Sequence, residues 1–600
     1  MNPFLLTDFY KLTHILQYRP ELRELTSYLT PRGSRLKGVD KVVFFGLSAY
    51  VHSYVVENFR ENFFRRNFEY CECEIREVLE LGLGYSDEMI DKTINAFRAL
   101  HELQYLPVEI NAVAEGTLVP MGVPCIEIKS TNPQFFWVGQ ALEASLSAAI
   151  WHPMVSATIA REYRKIARGA FFATVENGID ERTAMCDFSM RGQESNESAV
   201  NASVAWLTSM WNSSTVAARK HIKDVYTKLS TRDKMSNSII RGLTSTEHSV
   251  MTSHACLDGG NEYYTFKYLF DLYKNVSFAA VCDSYDFWNV LTNILPNYFM
   301  YNIDERGKRG LFIGVRHDSA EPVDALCGTV PVINKDNVLG VKEVPSSMVD
   351  GNEKLYAISI TIEEMERIRS LNVCGKVAIG ASDLVYQFNT INGDGFLRHI
   401  TDEGNEIGWA VATCLNRTRT YEEKGMVETM YEIFGGSVNS KGYKVLNPGI
   451  KAVYGDSITI TRAKKIYERL AIKGFAANNV SLGVGSFSFQ ALENEDGTLS
   501  PFTRDTFSIC VKCSHSKYKD NYGTICERFV YKDPRGWSAK KSTRGLCQIY
   551  FDENGDLTYK DEMYEKDLIG KNSALITYFK NGKEYKQNFE EIRRTIDENL

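Results

Sequence analysis

The chain has 600 residues, 44% of them apolar and 12% aromatic, which exceeds what one hydrophobic core uses, so two or more domains are expected. Charged residues make up 24% and the net charge is −7. A basic nucleic-acid-binding domain is therefore disfavoured, and any site for an anion must be local.

The N-terminus "MNPFLLTDFYKLTH" has no basic segment, apolar core and small-residue cleavage site in succession, so secretion is not expected. Residues 1–135 mix helices with short strands and form the first part of an α+β domain. "DEMIDKTINAFRAL" (87–100) has the apolar spacing of an amphipathic helix. "LPVEINAVAEGTLVPMGVPCIEIKS" (106–130) reads as strands broken by turns at "EGT" and "MGVP". The most apolar long stretch, "PQFFWVGQALEASLSAAIWHPMV" (133–155), is interrupted by Gln140 and Glu143 and reads as a buried helix, not a membrane span. A soluble cytoplasmic protein is expected.

Residues 136–504 repeat one pattern: an apolar run, a polar junction, then a helix. "TAMCDFSMRGQES" supplies Asp187, Phe188 and Arg191; "FAAVCDSYDFWNVL" supplies Asp283; "LFIGVRHDSAEPVDAL" supplies Arg316 and Asp318; "IKAVYGDSITITRAKKIYERL" supplies Gly455 and Asp456. A fifth junction, "NVSLGVGSFSFQAL", carries the turn from Gly483 through Gly485 to Ser486. Strands that end in polar residues and lead into helices predict parallel βαβ units, and in a β/α barrel such junctions gather on one ligand-binding face. Any single polar junction is explained by strand ends meeting solvent; the recurrence of Arg, Asp and Gly at five of them points to a site. The gap from Asp318 to Asp456 is longer than one βα unit of about 30 residues requires, so residues 327–422 are read as an insertion. "KLYAISITI" and "KVAIGA" are its strand candidates and "TINGDGFLRHITDEGNEIG" its turn-rich part. The barrel resumes at "VETMYEIFGG".

Residues 505–600 return to strands and turns and complete the α+β domain. "SALITYFKNGKEYKQNFEEIRRTID" predicts a hairpin turning at Asn581–Gly582 and a closing helix. Cys510, Cys513 and His515 in "CVKCSH" have some zinc-ligand character, but "FSICVKCSH" alternates like a strand and no second C-x-x-C follows, so no metal site is assigned. The thirteen scattered cysteines are read as free thiols.

Glycines ahead of a helix let backbone N–H groups approach phosphate oxygens, and Gly455 with Ser457, and Gly483 with Gly485, suit that role. Asp318 and Asp456 suit ribose hydroxyls or a hydrated Mg²⁺ carried by phosphates. Arg191, Arg504 and Lys512 offer charge to phosphate, and Phe188 a flat face for a planar ring. His248 in "STEHSVMTSH" is by frequency a surface or capping residue; its functional reading is a phosphoryl-accepting nucleophile or general base oriented by Glu247.

Taken in order, "LLTDFYKLTHILQY", "DFSMRGQES", "EHS", "CDSYDFWN", "VRHDSAEP", "YGDS", "TRD" with "VKCS", "KDP" and "FKNGK…FEEIRR" resemble the nicotinamide phosphoribosyltransferases, a type II phosphoribosyltransferase family. The resemblance runs from end to end apart from 327–422. It implies an irregular α/β barrel with an α+β domain built from both chain ends, in a homodimer with shared active sites. It implies transfer of phosphoribosyl from 5-phosphoribosyl-1-pyrophosphate to nicotinamide, with Mg²⁺ on the pyrophosphate and ATP as a stimulating co-substrate that phosphorylates a histidine.

By the same resemblance, Phe188 stacks on the pyridine, while Tyr10 with Asp8 nearby would come from the partner subunit. Arg316 would contact the base or ribose, Asp318, Gly455 and Asp456 the ribose region, and Arg191 a phosphate. Arg32, Arg504, Lys512 and Lys532 resemble phosphate contacts supplied across the dimer. His248 matches the phosphorylated histidine, with Asp283 beside it. Ser214 stands where the nicotinamide enzymes usually carry an aspartate, which weakens discrimination against the nicotinate carboxylate. Ala279 replaces a serine near the amide; Ser457, Ser486 and Cys510 replace the usual Gly, Gly and Ser of phosphate-facing turns; His317 replaces a proline. Nicotinate as substrate, or a catalytically silent binding protein, are the competing readings.

Overall fold

Strand Leu22–Pro31 pairs antiparallel on one side with Ile126–Ser130 and on the other with Ile509–Lys519, so the two ends of the chain share one sheet. The computed structural model describes residues 1–227, 241–344, 354–370, 375–380, 384–388, 397–400, 406–494, 497–533 and 542–600. Two compact units emerge: Met1–Glu162, Ser189–Ile240 and Phe489–Leu600 form one, Tyr163–Phe188 and Arg241–Ser488 the other.

In the chain-end unit the sheet runs antiparallel in the order Ile525–Phe529, Ile509–Lys519, Leu22–Pro31, Ile126–Ser130, Val108–Ala112, Ile576–Lys580, Lys583–Glu584. The hairpin expected at Asn581–Gly582 forms because both residues take positive φ, 48° and 82°, as a two-residue turn between twisted strands requires. Tyr28, fully buried, donates its hydroxyl to Glu127 and accepts from the Cys547 backbone N–H, tying both chain ends to the sheet. The helix predicted for 87–100 spans Asp87–Leu103; Ile90, Ile94, Phe97 and Leu100 form its buried stripe and Gln104, at φ 62°, ends it. The stretch 133–155 is not one helix. A 3-10 turn at Pro133–Phe135 and a helical turn at Val138–Ala141 precede a helix that starts at Glu143 and continues to Thr174, carrying Pro153 inside it. None of the described helices is long and apolar enough to cross a membrane.

The other unit is built on parallel strands β1 (Met185–Asp187), β2 (Thr244–Ser245), β3 (Phe278–Val281), β4 (Ile313–His317), β5 (Ile450–Tyr454) and β6 (Val480–Val484). They lie in the order β1-β6-β5-β4-β3-β2, every neighbouring pair parallel, and curl into a half-barrel. Their apolar runs are almost wholly buried, as parallel strands covered by helices require. Because the strands are parallel, all their C-terminal ends face one edge. The five junctions singled out above lie there, joined by the Thr246–His248 junction after β2.

The insertion is a module with its own sheet, ordered Val332–Ile333, Lys376–Ile379, Leu384–Phe388, Glu406–Thr418, Leu355–Thr361, Val338–Val344, with Leu397–Ile400 also on Glu406–Thr418. Both expected strands are present, and most of the turn-rich span 390–408 lies outside the described residues. Helix Ile362–Ser370 covers the sheet, and Ile333, Ile358, Ile360, Met365, Val377 and Phe388 make a separate core, each buried aliphatic side chain contributing about 2 kcal/mol. Entry and exit touch. A Cβ on Gly328 would stand 2.4 Å from the Glu423 carbonyl oxygen, and one on Gly425 would stand 2.2 Å from the Gly328 nitrogen. Lys473 of helix Ile460–Ile472's C-terminal end closes the neck by donating to the carbonyls of Cys327 and Lys424.

Candidate active site

Side-chain alternation fixes which residues meet at the C-terminal edge. A Cβ on Gly314 would stand 2.9 Å from Val453 Cγ2 and 3.0 Å from Ala279 Cβ, so these three residues share one face of the sheet. Moving two residues along β4 and β5 on that face reaches Arg316 and Gly455, and four along β3 reaches Asp283. His317 takes the opposite face, packed 4.0 Å from the Phe287 ring, where burial lowers its pKa. The proline-to-histidine change therefore lies away from the site face.

Phe188 follows β1 and is held by its N–H donating to the Val484 carbonyl at 2.8 Å. Its ring occupies the space above Gly483 and Gly455: Cβ atoms there would stand 2.3 and 3.1 Å from ring carbons. The space left by the missing side chain of Gly483 is taken by Phe188, and that of Gly455 by Phe188 and Arg316. Gly485 has nothing within 4 Å of a Cβ and stays open to a ligand, with Ser486 next to it starting a 3-10 turn.

The Arg316 guanidinium lies 5.5 Å from the Phe188 ring centroid and pairs with Asp318 at 2.6 Å. Asp318 Oδ1 also accepts from the Gly455 N–H at 3.2 Å, so the ends of β4 and β5 are locked together. The Asp318 N–H and Ser319 hydroxyl in turn donate to Asp283 Oδ2, at 2.9 and 2.6 Å. These bonds favour ionised Asp283 against its burial, and its pKa is lowered. Asp456 is exposed and bonded to the Ser457 hydroxyl, and Ser457 takes φ 54°, which accounts for glycine being usual there.

His248 is the first residue of helix His248–Leu257. Its Nδ1 faces the Ser284 hydroxyl at 3.2 Å and its Nε2 lies 3.9 Å from Asp283 Oδ1. Glu247 does not orient it, contrary to expectation, because the Glu247 carboxylate accepts from Ser249. Ser284 and Ser319 escaped the sequence reading although a signal existed: three strand ends carry the same Asp-Ser dipeptide, at 283–284, 318–319 and 456–457.

The chain-end unit holds the other candidates. Register pairs Thr30 with Cys510 and Tyr28 with Lys512, so Arg32 follows a strand whose neighbour carries both Cys510 and Lys512. The Cys510 thiol is pushed up by burial and drawn back by the charges of Arg32, Lys512 and Arg504. All three cations are exposed. Lys532 is exposed on the stretch after Ile525–Phe529, its backbone N–H bonded to Ser542. Arg191 is exposed on the turn Met190–Gly192, and Ser214 is exposed just ahead of helix Val216–Val225. Asp8 precedes helix Phe9–Gln17, and its nearby carboxylate raises the Tyr10 phenol's pKa. The Tyr10 ring is 56% exposed, free to meet another molecule.

No three His, Cys, Asp or Glu side chains among the described residues form a metal cage. Asp318 is spent on Arg316 and Gly455, while Asp456 is exposed. That donor set fits a Mg²⁺ brought in on phosphate oxygens and touched by one carboxylate, the usual way proteins meet this cation.

Known proteins resemble the chain at both ends and over its length. The family model "nicotinamide phosphoribosyltransferase, N-terminal domain" matches residues 2–66, and the nicotinate phosphoribosyltransferase family model matches 396–548. A nicotinamide phosphoribosyltransferase of Acinetobacter baylyi is 28% identical over 615 aligned residues, covering 100% of this chain and 98% of the relative. The chain is similar over its whole length to that protein. A Mycoplasma pneumoniae protein of the same name is 26% identical, covering 92% and 97%. Among solved structures, human nicotinic acid phosphoribosyltransferase aligns over 98% of this chain and 93% of its own, with 14% identity and a TM-score of 0.46.

Proposed function

We propose that this chain is a nicotinamide phosphoribosyltransferase of NAD salvage, transferring phosphoribosyl from 5-phosphoribosyl-1-pyrophosphate to nicotinamide and releasing nicotinamide mononucleotide and pyrophosphate. The observation that carries the reading is the Phe188 ring seated over Gly455 and Gly483 beside the Arg316–Asp318 pair, in a chain homologous over its full length to enzymes of that name.

Phe188 supports one face of the pyridine, and in a homodimer Tyr10 of the partner subunit covers the other. Arg316 orients base and ribose. Asp318, Gly455 and Asp456 serve the ribose, Gly485 and Ser486 line the adjoining turn, Arg191 meets phosphate, and Arg32, Arg504, Lys512 and Lys532, with Cys510, supply phosphate contacts across the dimer. The neutral ring nitrogen donates its lone pair to the anomeric carbon as the bond to pyrophosphate breaks and that electron pair leaves with the pyrophosphate. No proton has to move, so the protein's work is positioning and stabilising the departing charge. Mg²⁺ with the pyrophosphate would neutralise part of that charge, with Asp456 the carboxylate placed to meet it. His248 would take a phosphoryl group from ATP, with Ser284 and Asp283 facing its two ring nitrogens. The protein would act in the cytoplasm.

One observation favours a second reading: Ser214 lacks the carboxylate that would repel nicotinate. Turnover with 5-phosphoribosyl-1-pyrophosphate and Mg²⁺, offering nicotinamide or nicotinate separately, with and without ATP, tests both. Preference for nicotinamide, raised by ATP in the wild type but not in His248→Ala, is the expected result. Preference for nicotinate would transfer the protein to the other branch, and no product from either would leave a binding protein.

A further inference from the structure

Glu262, which no sequence motif marks, is the first residue of helix Glu262–Leu272, behind the Asn261 cap. It is 4% exposed, and its Oε1 is buried with no hydrogen-bond partner among the described residues. A carboxylate in that state would be expensive to keep ionised. The charges that act on it are two further acids, Asp283 and Asp286, both after β3. Asp286 is engaged in capping the next helix through the Asn289 N–H. From helix Leu295–Lys308 the groups reaching this helix start are the Tyr298 and Phe299 rings, against Tyr263. From helix His248–Leu257, packed alongside, the charged groups are His248 beyond Asp283 and His254 against Tyr268.

Asp283 presents the complementary half. Its side chain is 3% exposed, and its Oδ2 takes both the Asp318 N–H and the Ser319 hydroxyl. Its Oδ1 is buried without a hydrogen bond among the described residues and is the atom that faces His248. Two buried carboxyls in one field do not both ionise readily. Asp283 has the donors that stabilise a charge and Glu262 has none for its Oε1, so the proton belongs on Glu262.

We propose that Glu262 works as a neutral, protonated carboxyl behind Asp283, a positioning residue that keeps the charge of this pocket on Asp283, where His248 meets it. Burial and the two acids raise the Glu262 pKa to about 7, so the neutral form dominates below neutrality and is lost above it. The link to turnover rests on His248 being the group that ATP phosphorylates; the protonation of Glu262 does not.

Infrared difference spectra of the full-length protein, recorded between pH 6 and pH 8, read the protonation directly. A protonated-carboxyl band that disappears toward pH 8 and is missing from Glu262→Gln is expected. The same spectrum in wild type and variant would overturn the proposal. ATP-stimulated turnover against pH reads the role. The wild type should lose stimulation above neutrality, Glu262→Gln should keep it there, and Glu262→Ala should lose it at every pH. Parallel pH profiles for wild type and Glu262→Gln would also overturn the proposal. A titrating band together with wild-type turnover indifferent to ATP would support the protonation and overturn the phosphohistidine reading alone.

Discussion

The ring of Phe188 and the backbone of Gly483 occupy the same space that a single methyl group would need: a Cβ on Gly483 would stand 2.3 Å from Phe188 Cδ2. Gly483 has no unusual φ, so its lack of a side chain, and not its backbone freedom, is what the site uses. Gly483→Ala must push the ring aside. We expect a cost of about 1–3 kcal/mol in denaturant unfolding and a raised KM for the pyridine substrate. Gly485→Ala, where a Cβ meets nothing within 4 Å, should leave stability within about 0.5 kcal/mol of wild type.

Arg316 and Asp318 are each less than one-sixth exposed, at 13% and 15% of their side chains, and Asp318 also holds the Gly455 N–H. Removing one partner leaves the other charge nearly unpaired. Asp318→Ala is expected to lose about 2–3 kcal/mol, discounted from the fully buried case, and to abolish turnover. Calorimetry alongside the turnover assay checks both; a stable but inactive variant would mean the pair is catalytic without being structural.

Ser457 adopts φ 54°, a conformation that costs a non-glycine residue about 1 kcal/mol. Ser457→Gly relieves that strain but frees the unfolded chain, so a net gain between zero and about 1 kcal/mol is expected, whereas Ser457→Ala should not be stabilising. Matched urea titrations of the three proteins decide it.

Glu262 makes stability depend on pH with a defined sign. Its folded pKa, about 7, lies above the ordinary carboxylate value of 4.5, so the fold binds the proton more tightly than the unfolded chain does. That contribution is complete below pH 4.5 and is lost as pH rises through 7. Glu262→Gln should therefore gain on wild type by about 1–2 kcal/mol between pH 5 and pH 8, after allowance for solvent screening. Unfolding at the two pH values measures the difference; equal values would show the carboxyl to be ordinary.

Ser214 is exposed, ahead of helix Val216–Val225. Introducing a carboxylate there by Ser214→Asp should penalise nicotinate relative to nicotinamide by roughly tenfold, about 1.4 kcal/mol of charge repulsion. Competition between the two bases in one reaction gives the ratio.

Much of this architecture was written in local patterns. Apolar runs ending in polar residues announced the strands and their shared edge, and Asn581–Gly582 announced its hairpin. What escaped is what depends on which face a residue takes. Gly483 reads as a phosphate-loop glycine, and only the fold shows that Phe188 fills the space its missing side chain leaves. Glu247 is adjacent to His248 in sequence, yet helix geometry turns it to Ser249 and leaves Asp283, 35 residues on, to face the ring. Glu262 carries no motif at all, since its meaning comes from burial and from acids on a neighbouring strand end. The stretch 133–155 has the pattern of one helix because Leu142, apolar and buried, hides the break ahead of Glu143.

The touching glycines at the foot of the inserted module have a topological consequence. When the two ends of a segment coincide, the host chain closes over the gap with almost no loop-closure entropy and no change in strand order. A chain cut back to Gly328 and rejoined at Gly425 therefore retains the order of β1 to β6, and lineages can gain or shed the 96 intervening residues as a cassette without the half-barrel having to be rethreaded.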